Sequence, residues 1–294
     1  MKTPPRFSVV TIVLNGQDFL ADAVASIQEQ TLEDWELHIV DDGSTDGTLD
    51  LATDLAAEDQ ERIHIHRHPG GENRGMSISR NLGLHHAAGE FVTWLDHDDR
   101  FLPTKLETLH DALNRYPEAV AAISPCRRWR SWTKSELPDA DQNFPAELLD
   151  VLLPPPGLVP VFIENRESVP LGPLVRRIPL KAMGGHVDSF RGMHEDQAFL
   201  ARIMFRHPIV VIPDILHLYR QHQTSCVRLT HHSGRDLEAR RQFLMWLADE
   251  FETSGTRQES LRTLLRRSIS ETRGWRVRKW RRWLINARAK NNLP

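Results

Sequence analysis

Three aspartates fall within four residues in "EFVTWLDHDDR", where an apolar run stops at Asp96, Asp98 and Asp99. Carboxylates this close repel one another unless water solvates them or a cation sits among them. Hard divalent cations take oxygen ligands, use one or two carboxylates, and fill the rest of their shell with water and substrate phosphate. Asp96 and Asp98 suit that arrangement; a solvated turn that caps the next helix suits the same residues. A second acidic pair, Asp41 and Asp42, opens "DDGSTDG". Asp-Gly-Ser-Thr is good turn and capping chemistry. A carboxylate there could also accept from a base N–H or a ribose hydroxyl. "NRGMSISRN" sets Arg74 and Arg80 near a helix start, either as a solvated basic face or as a pyrophosphate or ribose contact. "HEDQ" puts Glu195 and Asp196 in the first turn of a helix, where acids complement the macrodipole. One of them could serve as a general base toward an acceptor hydroxyl, but the two cannot face the same way. His222 follows a strand in "YRQHQTS". None of the fifteen histidines makes a zinc-type spacing.

The elements that must position these residues alternate. β-rich runs at 7–15, 62–68, 90–95 and 119–124 read as strands, as does 35–47, a strand that runs into acids and turn residues. Helical spacing fills 17–30, 48–58, 76–89 and 104–116, with Ser44 or Asp46 available to cap the second of these. Such alternation predicts an α/β protein with a doubly wound, mainly parallel sheet flanked by helices. Ligands of such sheets bind beyond the carboxyl ends of the strands. There the pattern delivers Asn15, Asp41, Asp42, Asp96, Asp98 and Asp99. From Cys126 the alternation fails, and 126–170 reads as a long irregular insertion rich in proline, tryptophan and arginine. Trp129 and Trp132 could stack on a sugar there or pack the loop. Regularity returns at 171–190, followed by a helix at 194–207, strands at 209–213 and 216–222, and a helical C-terminal extension.

The 294 residues fit one large α/β domain or one and a half ordinary ones, with 40% hydrophobic and 26% charged residues. No run has the length of a membrane span, and the first residues read as a strand and not as a leader. Cys126 and Cys226 match no metal or redox spacing, which fits free thiols in a cytoplasmic protein. Net charge is −3, yet residues 257–290 hold twelve Lys/Arg against two acids. That basic tail places Val277, Trp280 and Leu284 on one helical face, suited to peripheral contact with an anionic membrane or to packing on the domain. Without aromatic and basic residues interleaved elsewhere, a nucleic-acid partner is not expected.

The order of these motifs is more specific than any one of them. Strand-Asn, strand-DDGSTDG, RGxxxxRNxG, AxGEFVxxLDxDD, GG…EDxxxxxR and YRxH together resemble the family 2 glycosyltransferases, whose fold is called GT-A. The resemblance runs from Phe7 to Ser225 and is densest in 35–47 and 73–99. It implies an inverting, single-addition transferase that takes a nucleotide-sugar, UDP-linked by default, with Mg²⁺ or Mn²⁺. The acceptor would be a hydroxyl of a glycan or of a lipid-linked glycan. Residues 1–125 would form the donor half, 126–232 the acceptor and base half, and 233–294 the extension. Asp42 would contact the base, with Asp41 and Asn15 lining the same pocket. Leu14 stands where the family often has a stacking tyrosine, and can still pack a base face. Arg74 and Arg80 would serve the donor, Asp96 the ribose or sugar, and Asp98 the metal, with His222 a third metal contact. Asp196 would be the general base, with Glu195 beside it. The Gln-x-x-Arg-Trp element of processive synthases is missing, and so is the glycine-rich basic loop that opens nucleotidyltransferases. A non-catalytic nucleotide-sugar-binding or interaction protein on the same fold is the alternative.

Overall fold

The computed structural model describes residues 4–164, 171–225 and 236–273. Strand β1 (Phe7–Val13) is buried at every position, as is β2 (Trp35–Asp41). Both strands are covered on two faces; β1 is apolar apart from Ser8 and Thr11, while β2 buries Glu36, His38 and Asp41, each with a hydrogen-bonding partner. β2 pairs in parallel with β1 on one side and with β3 (Ile63–Arg67) on the other. On its free side β1 pairs in parallel with β4 (Phe91–Trp94). The chain thus builds outward from β1 in one direction and then returns to its other edge. That reversal opens a crevice at the carboxyl ends of β1 and β4.

Helices fill the crossovers: α1 (Leu20–Gln28), α2 (Thr48–Glu58), α3 (Met76–His86) and, after a short β5 (Arg100–Phe101), α4 (Lys105–Arg115). α2 starts where expected, with Asp46 Oδ1 accepting from Thr48 N at 3.0 Å. α1, α2 and α4 cover one face of the sheet through Leu20, Ile27, Ala52, Leu106 and Leu109. α3 covers the other through Leu84. It approaches closely at Gly83, where a Cβ would stand 2.4 Å from Val10 Cγ1.

The second half completes the sheet and adds another. β6 (Ala121–Ile123) is followed by β7 (Cys126–Trp129), β8 (Ala140–Asp141), β9 (Leu152–Leu153) and α5 (Val159–Glu164). Next come β10 (Leu174–Arg176), α6 (Arg177–Ala182), α7 (Glu195–Met204), β11 (Ile209–Val211) and β12 (His217–Arg220). The large sheet has the order β3-β2-β1-β4-β10-β6-β11-β9, with β10 antiparallel to both neighbours. A smaller sheet has the order β5-β12-β7-β8. The stretch expected to be irregular therefore contributes β7 and β8 to a real sheet. Its strands are two to four residues long, half-buried and rich in arginine, so hydrophobic periodicity does not reveal them.

Helices α8 (Asp236–Thr253) and α9 (Glu259–Arg273) follow. They are not an appendage. Phe243, Leu247, Phe251, Leu261 and Leu265 belong to the same buried cluster as Val10 and Val92 of the sheet, Phe162 of α5 and Phe199 of α7. The expected boundaries at 125 and 232 do not divide the packing. The tail face at Val277, Trp280 and Leu284 lies outside the described residues, as does Cys226; Cys126 is a buried free thiol whose pKa burial pushes up to about 12. Among the described residues no helix is long and apolar enough to cross a membrane.

Phe243 is fully buried. Phe243→Ala is expected to cost about 3–5 kcal/mol in urea unfolding, the penalty for emptying a core aromatic site. A loss below about 1 kcal/mol, the size of a surface effect, would show that α8 sits outside the cooperative core.

Candidate functional site

The reversal of strand order brings together the turns after β1, β2 and β4. Asn15 adopts a left-handed backbone (φ 51°), which asparagine tolerates. Its Oδ1 accepts from Thr45 N at 2.8 Å, and its own N–H donates to Ser44 Oγ at 2.9 Å. These bonds tie the turn after β1 to the one after β2. Leu14 is exposed at 41% beside it, an apolar surface left open to the crevice.

Asp41 differs from expectation. It is fully buried, with Oδ1 accepting from Ser44 N at 3.0 Å and Oδ2 from Arg67 Nε at 2.8 Å. It therefore fixes the loop and does not line a pocket. Asp42 accepts from Arg74 N at 2.7 Å and from Gly75 N at 3.0 Å, which binds the DDGS turn to the start of α3. The turn needs its glycine: Gly43 has φ 88°, and a Cβ there would meet Asn73 N and Gly71 O at 2.8 Å. The Arg74 side chain is exposed at this rim.

Arg80 also takes a different place from the expected one. It is 5% exposed, and its guanidinium lies between two carboxylates, Asp96 at 2.5 Å and Glu195. A guanidinium so engaged holds acids in position and is not a free phosphate arm. Glu195 is correspondingly unavailable as a base. It is buried, accepts from Arg80, and lies 3.2 Å from His186 Nδ1. Asp196, one residue on, is half-buried and among the described residues accepts one hydrogen bond, from Gln197 N at 2.7 Å. Burial, reinforced by the Glu195 charge, pushes its pKa up to about 7.

The three aspartates after β4 separate by environment. Asp99 is fully buried, its Oδ1 accepting from Arg220 N and its Oδ2 from His217 Nε2, both at 2.9 Å. His217 Nδ1 in turn lies 3.3 Å from Lys105 Nζ, whose pKa burial pulls down to about 7. Burial and the two neighbouring carboxylates hold Asp99 well above the usual range. Asp98 is shifted the other way: burial opposes ionisation, but the His222 hydrogen bond and the nearby His97 outweigh it. His222 Nε2 stands 2.8 Å from Asp98 Oδ2. Burial pushes Asp96 up, against the pull of Arg80. The carboxylate oxygens of Asp96, Asp98 and Asp99 all come within 4.8 Å of one another. With Asp99 taken up by His217 and Arg220, the donor set left for a cation is Asp96 and Asp98, with His222 adjacent. Two carboxylates and an imidazole fit Mn²⁺, and with fewer protein ligands Mg²⁺.

Two residues of weight escaped sequence reasoning. Arg220 donates to Asp98 O at 2.6 Å and pairs with Asp22. Its guanidinium lies over Trp129 at 4.5 Å and over Phe19 and Trp132 at 5.0 Å. The two tryptophans thus pack the loop through this arginine, and Trp132 Nε1 donates to Gln221 O. Tyr219 is half-buried near Asp96, Asp98, Asp99 and Asp196; burial first and then those charges push its phenol up, so it stays protonated. Both residues stand in "YRQH", two and three positions before the histidine of that motif.

The model of the glycosyl transferase family 2 matches residues 8–157, which is half of the chain. The chain belongs to that family. A putative teichuronic acid biosynthesis glycosyltransferase, TuaG of Bacillus subtilis, is 42% identical over 103 residues, 35% of this chain and 40% of the relative. The GalNAc(5)-diNAcBac-PP-undecaprenol beta-1,3-glucosyltransferase of Campylobacter jejuni is 37% identical over 110 residues, 37% of this chain and 35% of the relative. The matched segment thus spans well under half the length of these curated relatives. Among solved structures, S. aureus TarS in complex with UDP-GlcNAc superposes with a TM-score of 0.68 at 16% identity, covering 92% of this chain and 72% of TarS. The mannosyltransferase PcManGT of Pyrobaculum calidifontis, in complex with GDP-Man and Mn²⁺, gives 0.61 at 19% identity, covering 91% and 70%. The fold is GT-A, as the family resemblance implies.

A raised carboxyl pKa is a stability cost. Between its unfolded value near 4 and its folded value near 7, Asp196 binds a proton in the fold and not in the unfolded chain, so stability falls as pH rises through that window. Asp196→Asn is expected to gain about 1–2 kcal/mol at pH 8, roughly 3–6 °C in Tm. The gain should be smaller at pH 5. Equal Tm shifts at the two pH values would refute a raised pKa.

Proposed function

We propose that the chain transfers a sugar from a nucleotide-sugar to a hydroxyl of a glycan or lipid-linked acceptor, with inversion at the anomeric carbon. The observation that carries this reading is the pairing of Asp98, held ionised, with Asp196, whose pKa sits near 7, on the crevice where the strand order reverses. Carboxylates pushed apart in this way are suited to different roles. Asp98 and Asp96, with His222, would hold Mg²⁺ or Mn²⁺. The ion, when bound, supplies Lewis-acid stabilisation of the departing diphosphate. Leu14, Asn15 and Arg74 frame the nucleotide end, and Asp42 fixes the loop that shapes it. Arg80 and Glu195 orient Asp96 and Asp196. Asp196, partly dehydrated and near-neutral in pKa, takes the proton of the acceptor hydroxyl. Residues 1–125 serve the donor and 126–232 the acceptor and base.

The names of the relatives support the substrate class. TarS has been crystallised with UDP and with UDP-GlcNAc, and PcManGT with GDP-Man and Mn²⁺. The Campylobacter relative is named for an undecaprenol-linked substrate. A UDP-sugar is the first donor to test.

Purified protein incubated with UDP-, GDP- and dTDP-sugars should release nucleoside diphosphate slowly from one of them, with Mg²⁺ or Mn²⁺ and not with EDTA. Asp98→Ala should lower that rate on the order of 10²–10⁴-fold, several kcal/mol of lost charge stabilisation. Failure of every nucleotide to bind, with or without metal, would sink the reading. Binding without turnover in the presence of acceptor would favour the non-catalytic alternative.

With an acceptor in hand, kcat/KM should fall about tenfold per pH unit below pH ~7, because the base must be unprotonated. A flat profile from pH 5 to 8 would remove Asp196 from that role.

A further inference from the structure

Lys105, the first residue of α4, is fully buried. Its Nζ lies 3.2 Å from Leu171 O and 3.3 Å from His217 Nδ1, with the Phe101 ring centroid 4.5 Å away. Among the described residues no carboxylate stands within ion-pairing distance of it. Lysines are almost never fully buried unless paired. Burial pulls this one down to about 7, so below the unfolded pKa it weakens the fold. Nothing in the proton transfer or the departure of the diphosphate calls on it directly.

Its two partners show what it does. Both are acceptors, so the amine donates to each whether or not it is charged. With Nδ1 accepting, the neutral His217 ring carries its proton on Nε2, which lies 2.9 Å from Asp99 Oδ2. The other Asp99 oxygen takes the Arg220 N–H at 2.9 Å. Arg220 Nε donates to Asp98 O at 2.6 Å, and His222, two residues on, stands 2.8 Å from Asp98 Oδ2. The backbone and the side chain of Asp98 are thus both held from the β12 end, and Lys105 orients the ring that docks β12 on the turn. The second partner leads toward the base. Leu171 precedes Gly172, where a Cβ would stand 3.1 Å from Lys105 Nζ and 2.5 Å from Trp94 O. Leu171 and Gly172 line a small cavity together with Asp96 and Asp196.

We propose that Lys105 is a positioning residue for the metal site, holding Asp98 through His217 and Asp99 in the orientation that binds the divalent cation. The proposal rests on Asp98 being a metal residue, as read above. Groups behind the ligands typically set metal affinity by 10–100-fold, and Lys105, several bonds removed, belongs at about tenfold. Charge alone would act with the opposite sign. A lysine repels a cation, so an effect through charge would make the site tighter once the lysine is gone.

The test follows Mn²⁺ binding to the full chain by electron paramagnetic resonance, with and without UDP. Lys105→Met keeps an apolar stem of similar volume and removes both the charge and the donor. Wild type should show a Mn²⁺ site that Asp98→Ala abolishes. Lys105→Met should raise the Mn²⁺ Kd about tenfold, while its Tm stays at or above that of wild type because a buried unpaired amine is gone. His217→Gln should weaken Mn²⁺ as well, and the double variant should bind no more weakly than the weaker single one, since the two side chains act in one line. A Kd that Lys105→Met leaves unchanged or tightens, or one weakened only together with a lower Tm, would overturn the proposal. Absence of any Asp98-dependent Mn²⁺ site in wild type would sink the metal reading itself, and this proposal with it.

Discussion

One buried guanidinium holds the crevice together. Arg80 leaves α3 and lies between Asp96, at the end of β4, and Glu195, at the start of α7. Each of those acids comes from a different element, and each stands beside the residue proposed to act, Asp98 or Asp196. Buried charges are costly alone, and the attraction repays that cost only when the geometry is fixed. A pair of this kind specifies geometry more than it stabilises. The lysine alternative lacks the planar fork that can meet two carboxylates at once. The sheet supplies rigid strand ends, and Arg80 sets where the acids at those ends point.

A second arginine does the same work from the other side. Arg220 lies in β12 of the smaller sheet, with three aromatic rings around its guanidinium and its backbone N–H on Asp99. Asp99 is thereby committed to structure, and His217 with Lys105 behind it completes the commitment. The smaller sheet holds Asp98 and Asp99 through Arg220 and His217, while Arg80 of α3, itself paired with Glu195 of α7, holds Asp96. Removing charge from one side leaves carboxylates without their partners: Arg80 stands against Asp96, and the Arg220 N–H and His217 stand against Asp99.

Legibility in the sequence followed burial. β1 and β4 were readable because both faces are covered and every position is apolar or small, and β2 through its Trp35, Leu37, Ile39 and Val40 despite the buried Glu36, His38 and Asp41. The helices α1 and α4 were readable because one face is covered and the spacing shows it. β5, β7 and β8 were not, since strands of two to four half-exposed residues carry no period. At the crevice the motifs located the acids but not their tasks. Asp41, Arg80, Glu195 and Asp99 look as reactive in a sequence as Asp98 and Asp196 do. Only the partners they find in three dimensions distinguish them, and several are distant in the chain: Arg67 is 26 residues from Asp41, Arg80 is 115 from Glu195 and Arg220 is 121 from Asp99.

The acids of the crevice can be ordered by what surrounds them. Asp41 and Glu195 accept from arginine and are spent on position. Asp99, fully buried between Arg220 N–H and His217, is spent likewise. Asp98 has an imidazole against one oxygen and is favoured as an anion, the state a cation needs. Asp196 is dehydrated by burial, has a negative neighbour in Glu195 and has no cationic partner within hydrogen-bonding distance among the described residues, so it holds a proton nearly to neutral pH. Glu195 therefore has two effects. Through Arg80 it anchors Asp96, and through its own charge it raises the affinity of Asp196 for a proton. Neutralising it would loosen the first and lower the second. A carboxylate that never meets the substrate would then set both the geometry and the pH range of the one proposed to do so.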